Sequence, residues 1–128
     1  MAQVLLVVND WRERALILAQ LQEEGYTVHA VSTVPWAIAL LCRGLIAPDV
    51  AIVDVVGQDV AERDLVTLRE LIGDAPLVLC TGVYERADTQ SILAPTRVLV
   101  RPFRVQDVVD AVREVLGGRV LTQEVRDG

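Results

Sequence analysis

Four places along the chain set chemically capable side chains directly behind apolar runs. Asn9-Asp10 follow VLLVV, Asp54 follows VAIV, Thr81 follows LVLC and Arg101 follows VLV. Brought together, two carboxylates, a hydroxyl and a guanidinium would suit transfer of a phosphoryl group. Asp54 would act as nucleophile and form an acyl phosphate. Asp10 would hold Mg²⁺, a hard cation that takes carboxylate, carbonyl and water oxygens while it binds phosphate. The metal and Arg101 would offset charge on the group in flight, and Thr81 would donate to a phosphoryl oxygen. Each residue also has a plainer reading. Asp54 and Asp10 would each serve as a strand end or helix cap, and capping by Asp10 is compatible with metal binding. Thr81-Gly82 would be turn chemistry and Arg101 an ordinary surface arginine.

The elements that must position these residues are legible as alternating patterns. Val4–Val8 reads as a fully buried strand. A helix from about Arg12 to Glu24 follows, with an apolar face of Ala15, Leu16, Leu18, Ala19 and Leu21, and Gly25 ends it. Thr27–Val31 is a short strand. Ser32-Thr33 after it are assigned to capping, with Thr33 and the early Pro35 opening a helix that runs to about Leu45. Val50–Val53 is the third strand, ending at Asp54. A helix from about Val60 to Ile72 is closed by Gly73. Leu77–Cys80 is the fourth strand, ending at Thr81. Arg86–Leu93 gives two turns of helix before Pro95, and Val98–Val100 is the fifth strand. The last helix spans about Val105 to Leu116, with Gly117-Gly118 as its stop. Residues 1–118 form one domain on this reading, and 119–128 a flexible tail or the start of a linker. The order βαβαβαβαβα indicates a parallel sheet with helices on both faces, with chemistry at the carboxyl ends of the strands.

Composition agrees. The 128 residues fit one domain, and the chain is 52% apolar with only 4% aromatic residues, so its core must be aliphatic. The net charge of −6 argues against a nucleic-acid surface. All twelve basic residues are Arg. Cys42 and Cys80 lie in apolar segments without a CxxC partner, so packing is expected of both rather than a disulfide or zinc site. His29 reads as a strand residue, and Trp11 and Trp36 as amphipathic packing near helix starts. No apolar run approaches the ~20 residues that span a bilayer, and the N-terminus lacks a signal-peptide pattern, so a cytoplasmic location and no membrane contact are expected.

VLLVVND, PDVAIVDV, LVLCTG and VLVRPF, in this order over about Gln3 to Leu116, resemble the receiver domains of two-component response regulators. The resemblance implies a flavodoxin-like (βα)5 doubly wound sandwich with a five-stranded parallel sheet of order 2-1-3-4-5. It implies that Asp54 accepts the phosphoryl group, Thr81 is the switch hydroxyl and Arg101 stands where the family has Lys. The metal set would be Asp10, Asp54 and the Val56 backbone carbonyl, with Asn9 weakly or through water. It also implies Mg²⁺ as cofactor and a histidine kinase or phosphotransfer protein as donor. An effector domain or output protein would be downstream, with a homodimer left open. A cis Arg101–Pro102 bond belongs to the same pattern. The domain would be a phosphoacceptor with at most self-phosphorylation and self-dephosphorylation chemistry, not an enzyme.

The sequence departs from the family pattern in informative places. Asn9 replaces the first acid of the family's pair. Arg101 keeps the charge of Lys in a planar fork instead of a compact ammonium. Val98 stands in place of an aromatic, and Val55-Val56-Gly57-Gln58 replaces the usual Met-Pro after the acceptor. These departures support a rival reading, a pseudo-receiver that works as a phosphorylation-independent interaction module. A third reading, a small-molecule-binding flavodoxin-like domain, would need a deep pocket at the strand ends. Val56 and Val83, two residues beyond Asp54 and Thr81, offer nothing to orient an attacking water, so a phosphoryl group on Asp54 would be long-lived.

Overall fold

The computed structural model describes residues 2–83 and 87–127. Its elements are β1 Gln3–Val7, α1 Trp11–Glu23, β2 Thr27–Val31, α2 Val34–Cys42, β3 Val50–Asp54, α3 Glu62–Ile72, β4 Leu77–Thr81, α4 Ala87–Leu93, β5 Arg97–Val100 and α5 Val105–Asp127. The five strands form one sheet in the order β2-β1-β3-β4-β5, and every neighbouring pair is parallel. This is the flavodoxin-like arrangement.

Strand pleating divides the apolar residues between two cores, because successive side chains point to opposite faces. Leu5, Val7, Ala51, Val53, Leu77 and Leu79 join Val34, Ala37, Leu41, Leu65, Leu68, Ile72 and Leu93 on the face of α2, α3 and α4. Val4, Leu6, Val50, Ile52, Val78 and Cys80 join Ile17, Leu21, Val108, Val109 and Val112 on the face of α1 and α5. β3 and β4 are buried along their whole length, which explains why they read as unbroken apolar runs.

Several boundaries differ from the sequence reading. α2 stops at Cys42 rather than near Leu45, because Gly44 takes a positive φ of 67° that a helix cannot continue. Arg86, expected to start the fourth helix, lies outside the described residues. The backbone of α5 continues past Gly117-Gly118 to Asp127, through the segment expected to be a flexible tail. Gly117 lacks the positive φ of a helix-ending glycine, and a glycine in a helix interior weakens the helix without forbidding it. Packing was the wrong expectation for three side chains: Trp11 and Trp36 are 64% and 63% exposed, and Cys42 is exposed. In α1 and α2 the buried positions are instead Ile17 and Leu21, and Val34, Ala37 and Leu41. Cys80 is buried as expected. Among the described residues no helix is long and apolar enough to cross a membrane.

Candidate functional site

The pleat that sorts the core also sorts the site. Val50, Ile52 and then Asp54 alternate onto the α1/α5 face of β3, and Leu99 and then Arg101 follow the same phase beyond β5. The strand ends are tied together by the backbone. Val55 N–H donates to the Cys80 carbonyl (3.3 Å), and Arg101 N–H donates to the Thr81 carbonyl (2.9 Å). The Arg101–Pro102 bond is cis.

Asp54 is only 2% exposed, and its carboxylate is fully engaged. Val56 N–H donates to Oδ1 (2.9 Å), Arg101 Nη1 donates to the same oxygen (3.3 Å), and Arg101 Nη2 donates to Oδ2. The guanidinium thus forks across both carboxylate oxygens, the geometry that suits Arg to this task. Nη2 also donates to Glu13 Oε1 of α1 (2.7 Å), and the guanidinium carbon lies 4.9 Å from the Phe103 ring centroid. Burial works against the charge of Arg101, but the hydrogen bonds and charges of Asp54 and Glu13 outweigh it and hold its pKa above the ordinary value. The neighbouring Cys80 thiol is pushed well up, first by burial and then by the Asp54 charge, so it stays protonated and unreactive.

Asp10 is the N-cap of α1. Its Oδ1 accepts from Arg12 N–H (2.9 Å) and Glu13 N–H (3.1 Å), and these two bonds lower its pKa. Asn9 faces sideways: its amide donates to the Ser32 carbonyl (3.4 Å). Arg14 Nη1 donates to the Val8 and Asn9 carbonyls and so fixes the turn out of β1. Gly57 has φ 80°, a conformation that favours glycine, and a Cβ there would stand 3.2 Å from Asn9 Oδ1, so that side chain would have to give by a few tenths of an ångström. Gln58 locks the same loop, donating to the Asp54 carbonyl (2.7 Å) while accepting from Val34 N–H at the start of α2 (3.0 Å). Thr81 is buried, on the opposite pleat phase from Asp54, and its hydroxyl donates to the Gly82 carbonyl (3.3 Å). Val98 is half-buried against the α2/α3/α4 core, and Val83 is exposed.

Asp54 and Arg101 therefore meet at one end of the sheet, Asp10 caps the helix that follows β1 and feels the Arg101 charge, and Thr81 ends the neighbouring strand. Sequence reasoning missed Glu13, Gln58 and Arg14. Glu13 carried one usable signal: it lies one helical turn beyond Asp10, on the helix that leaves the site. As for Mg²⁺, no group of three or more His, Cys, Asp or Glu among the described residues could hold a metal ion. The donors that remain, Asp10, Asp54 and a backbone carbonyl in the Val56 loop, are all hard oxygens. Hard oxygens are the donors Mg²⁺ takes, and it needs only one or two carboxylates, but Val56 N–H and the Arg101 fork already hold both Asp54 oxygens. A caged transition metal would not be served. A cavity of about 260 Å³ beside the site is lined by Asn9, Thr33, Pro35, Gly57, Gln58, Asp59, Val60 and Asp64.

By sequence, no family model and no curated protein matches the chain. By structure, it is similar to a response regulator receiver protein of Sinorhizobium medicae, with TM-score 0.73 and 24% identity over 92% of this chain and 96% of that one. It is similar to the chemotaxis response regulator CheY4 of Vibrio cholerae, with TM-score 0.71 and 22% identity over 90% and 98%. It is also similar to NtrX of Brucella abortus, solved in complex with ADP, with TM-score 0.74 and 20% identity over 98% of this chain and 29% of that one. The strand order, the parallel pairing and these likenesses together give the chain the fold of a response regulator receiver domain.

Proposed function

We propose that this chain is a receiver module of two-component signalling that takes a phosphoryl group on Asp54 from a histidine kinase or phosphotransfer protein. The observation that carries this reading is Asp54 itself: a carboxylate 2% exposed at the carboxyl end of the central strand, with a forked cation on both oxygens. A carboxylate oxygen would attack phosphorus, the bond from phosphorus to the donor nitrogen would break, and the imidazole would leave. Arg101 would follow the negative charge from the carboxylate to the phosphoryl oxygens, and Thr81 would turn its hydroxyl from the Gly82 carbonyl toward the new group. Asp10, Asp54 and the Val56 carbonyl would hold Mg²⁺, which supplies charge neutralisation at the phosphoryl oxygens. Incubation with a small acyl-phosphate donor and Mg²⁺, read by intact mass, should add one phosphoryl group. Asp54→Asn should abolish the addition, and chelation of Mg²⁺ should suppress it. An unchanged wild-type mass would sink this reading.

A phosphorylation-independent interaction module is the second reading. It is favoured by the same clasp, since Arg101 already satisfies both Asp54 oxygens, and by Asn9, whose amide is turned to Ser32. On that reading a partner binds Asp54→Ala as tightly as wild type. A partner that requires phosphorylated Asp54 would exclude it.

A further inference from the structure

Asp10 and Glu13 stand at the spacing of a capping box, in which the residue at the third helical position turns back to accept from the N-cap backbone N–H. The first half is present: Asp10 Oδ1 accepts from Glu13 N–H (3.1 Å). The Glu13 carboxylate instead reaches across to α5's approach and accepts from Arg101 Nη2 (2.7 Å). The same Nη2 donates to Asp54 Oδ2. Glu13 and Arg101 side chains are each 29% exposed, so the pair lies at the rim of the site with Asp54 beneath it.

From this we infer that Glu13 is a positioning residue: it anchors the Arg101 fork over Asp54. A guanidinium carries five N–H donors in a fixed plane, where an ammonium has three that rotate freely. Two of those donors serve Asp54, and a further acceptor on a second element holds the fork from its rim side as well. Glu13 supplies that acceptor from α1, whose start is fixed by the Asp10 cap. Phe103 supplies a face for the plane to rest on. Glu13 also returns, from one turn into α1, the negative charge that Asn9 does not carry. Glu13, Arg101 and Asp54 thereby form one hydrogen-bonded set. The consequence for chemistry rests on the reading of Asp54 as phosphoryl acceptor, but the anchoring itself does not.

Two readouts on the full chain test this. In NMR spectra, the Arg101 guanidinium protons of the wild type should appear as separate resonances, reflecting a fork that does not rotate freely. Glu13→Ala, which removes the acceptor, should merge or broaden them while the backbone spectrum away from the site is unchanged. Unchanged Arg101 resonances in that variant would overturn the inference. In the second readout, Glu13→Ala should slow phosphoryl uptake from a small acyl-phosphate donor about tenfold, as expected for a misplaced positioning group. In an Arg101→Ala background the same change should have less than about a twofold effect. Equal effects in both backgrounds would overturn the coupling. If no variant and no wild-type protein takes up phosphate, the acceptor reading fails, and the NMR readout alone decides the role of Glu13.

Discussion

Arg101 is the residue on which the candidate site turns, because it answers two carboxylates at once. Asp54 is nearly inaccessible to water, so removing its partner leaves a charge that solvent cannot compensate. Breaking such a buried pair costs about 3 kcal/mol or more. Arg101→Ala should therefore lower unfolding free energy by about 3 kcal/mol in urea titration. The double variant Arg101→Ala, Asp54→Asn should recover much of that loss, since the stranded charge is gone. Asp10 makes a different prediction because it is exposed and its role is the helix cap. Its pKa is lowered by the Glu13 and Arg12 N–H groups, so its stabilising effect is complete above the ordinary carboxylate value of 3.8 and is lost as pH falls through the lower folded value. Asp10→Ala should thus be less stable than wild type at neutral pH, with the gap in Tm narrowing in strong acid as the charge is lost. Asp10→Asn, which can still accept the cap bonds, should retain most of the difference.

At the scale of elements, the strands were legible because β1, β3 and β4 are buried on both faces and must be apolar without interruption. The caps of α1 and α2 were legible too, because Asp10 and Thr33 satisfy backbone donors that every helix start exposes. The end of α5 was not. A Gly-Gly pair is a usual stop, but Gly117 keeps a helical backbone here. Its hydrogen would meet no neighbouring atom within 4 Å if replaced by a methyl group. Gly117→Ala should accordingly stabilise the protein by up to about 1 kcal/mol, visible as a raised urea midpoint with an unchanged slope. A loss of stability there would mean that the α5 backbone needs glycine for a reason other than helix formation.

For the whole molecule, the described core contribution of α5 runs through Val108, Val109, Ala111, Val112 and Val115, with Leu116 packed against them. The described core residues of α5 thus end at Leu116. A chain ending at Gly117 keeps every described core residue of α5 and should fold, with a circular-dichroism Tm within about 2 °C of the full chain. A larger fall would assign the final turns of α5 a share of the core.

The sequence by itself determined the alternation of strands and helices, the parallel sheet and the four polar strand ends. Those follow from local rules: buried strands are apolar, helix starts need acceptors and connections between parallel strands need helices. It also placed Asp10, Asp54, Thr81 and Arg101 at the carboxyl edge of the sheet. Only the tertiary structure decided how those residues are used. Pleat phase set Asp54 and Arg101 on one face and Thr81 on the other. The distance across the sheet edge let a guanidinium, but no shorter side chain in its place, fork over Asp54 and still reach Glu13. Glu13's place one turn beyond Asp10 was legible, but its contact with Arg101 was not, because the two lie 88 residues apart and no local pattern encodes a contact of that separation.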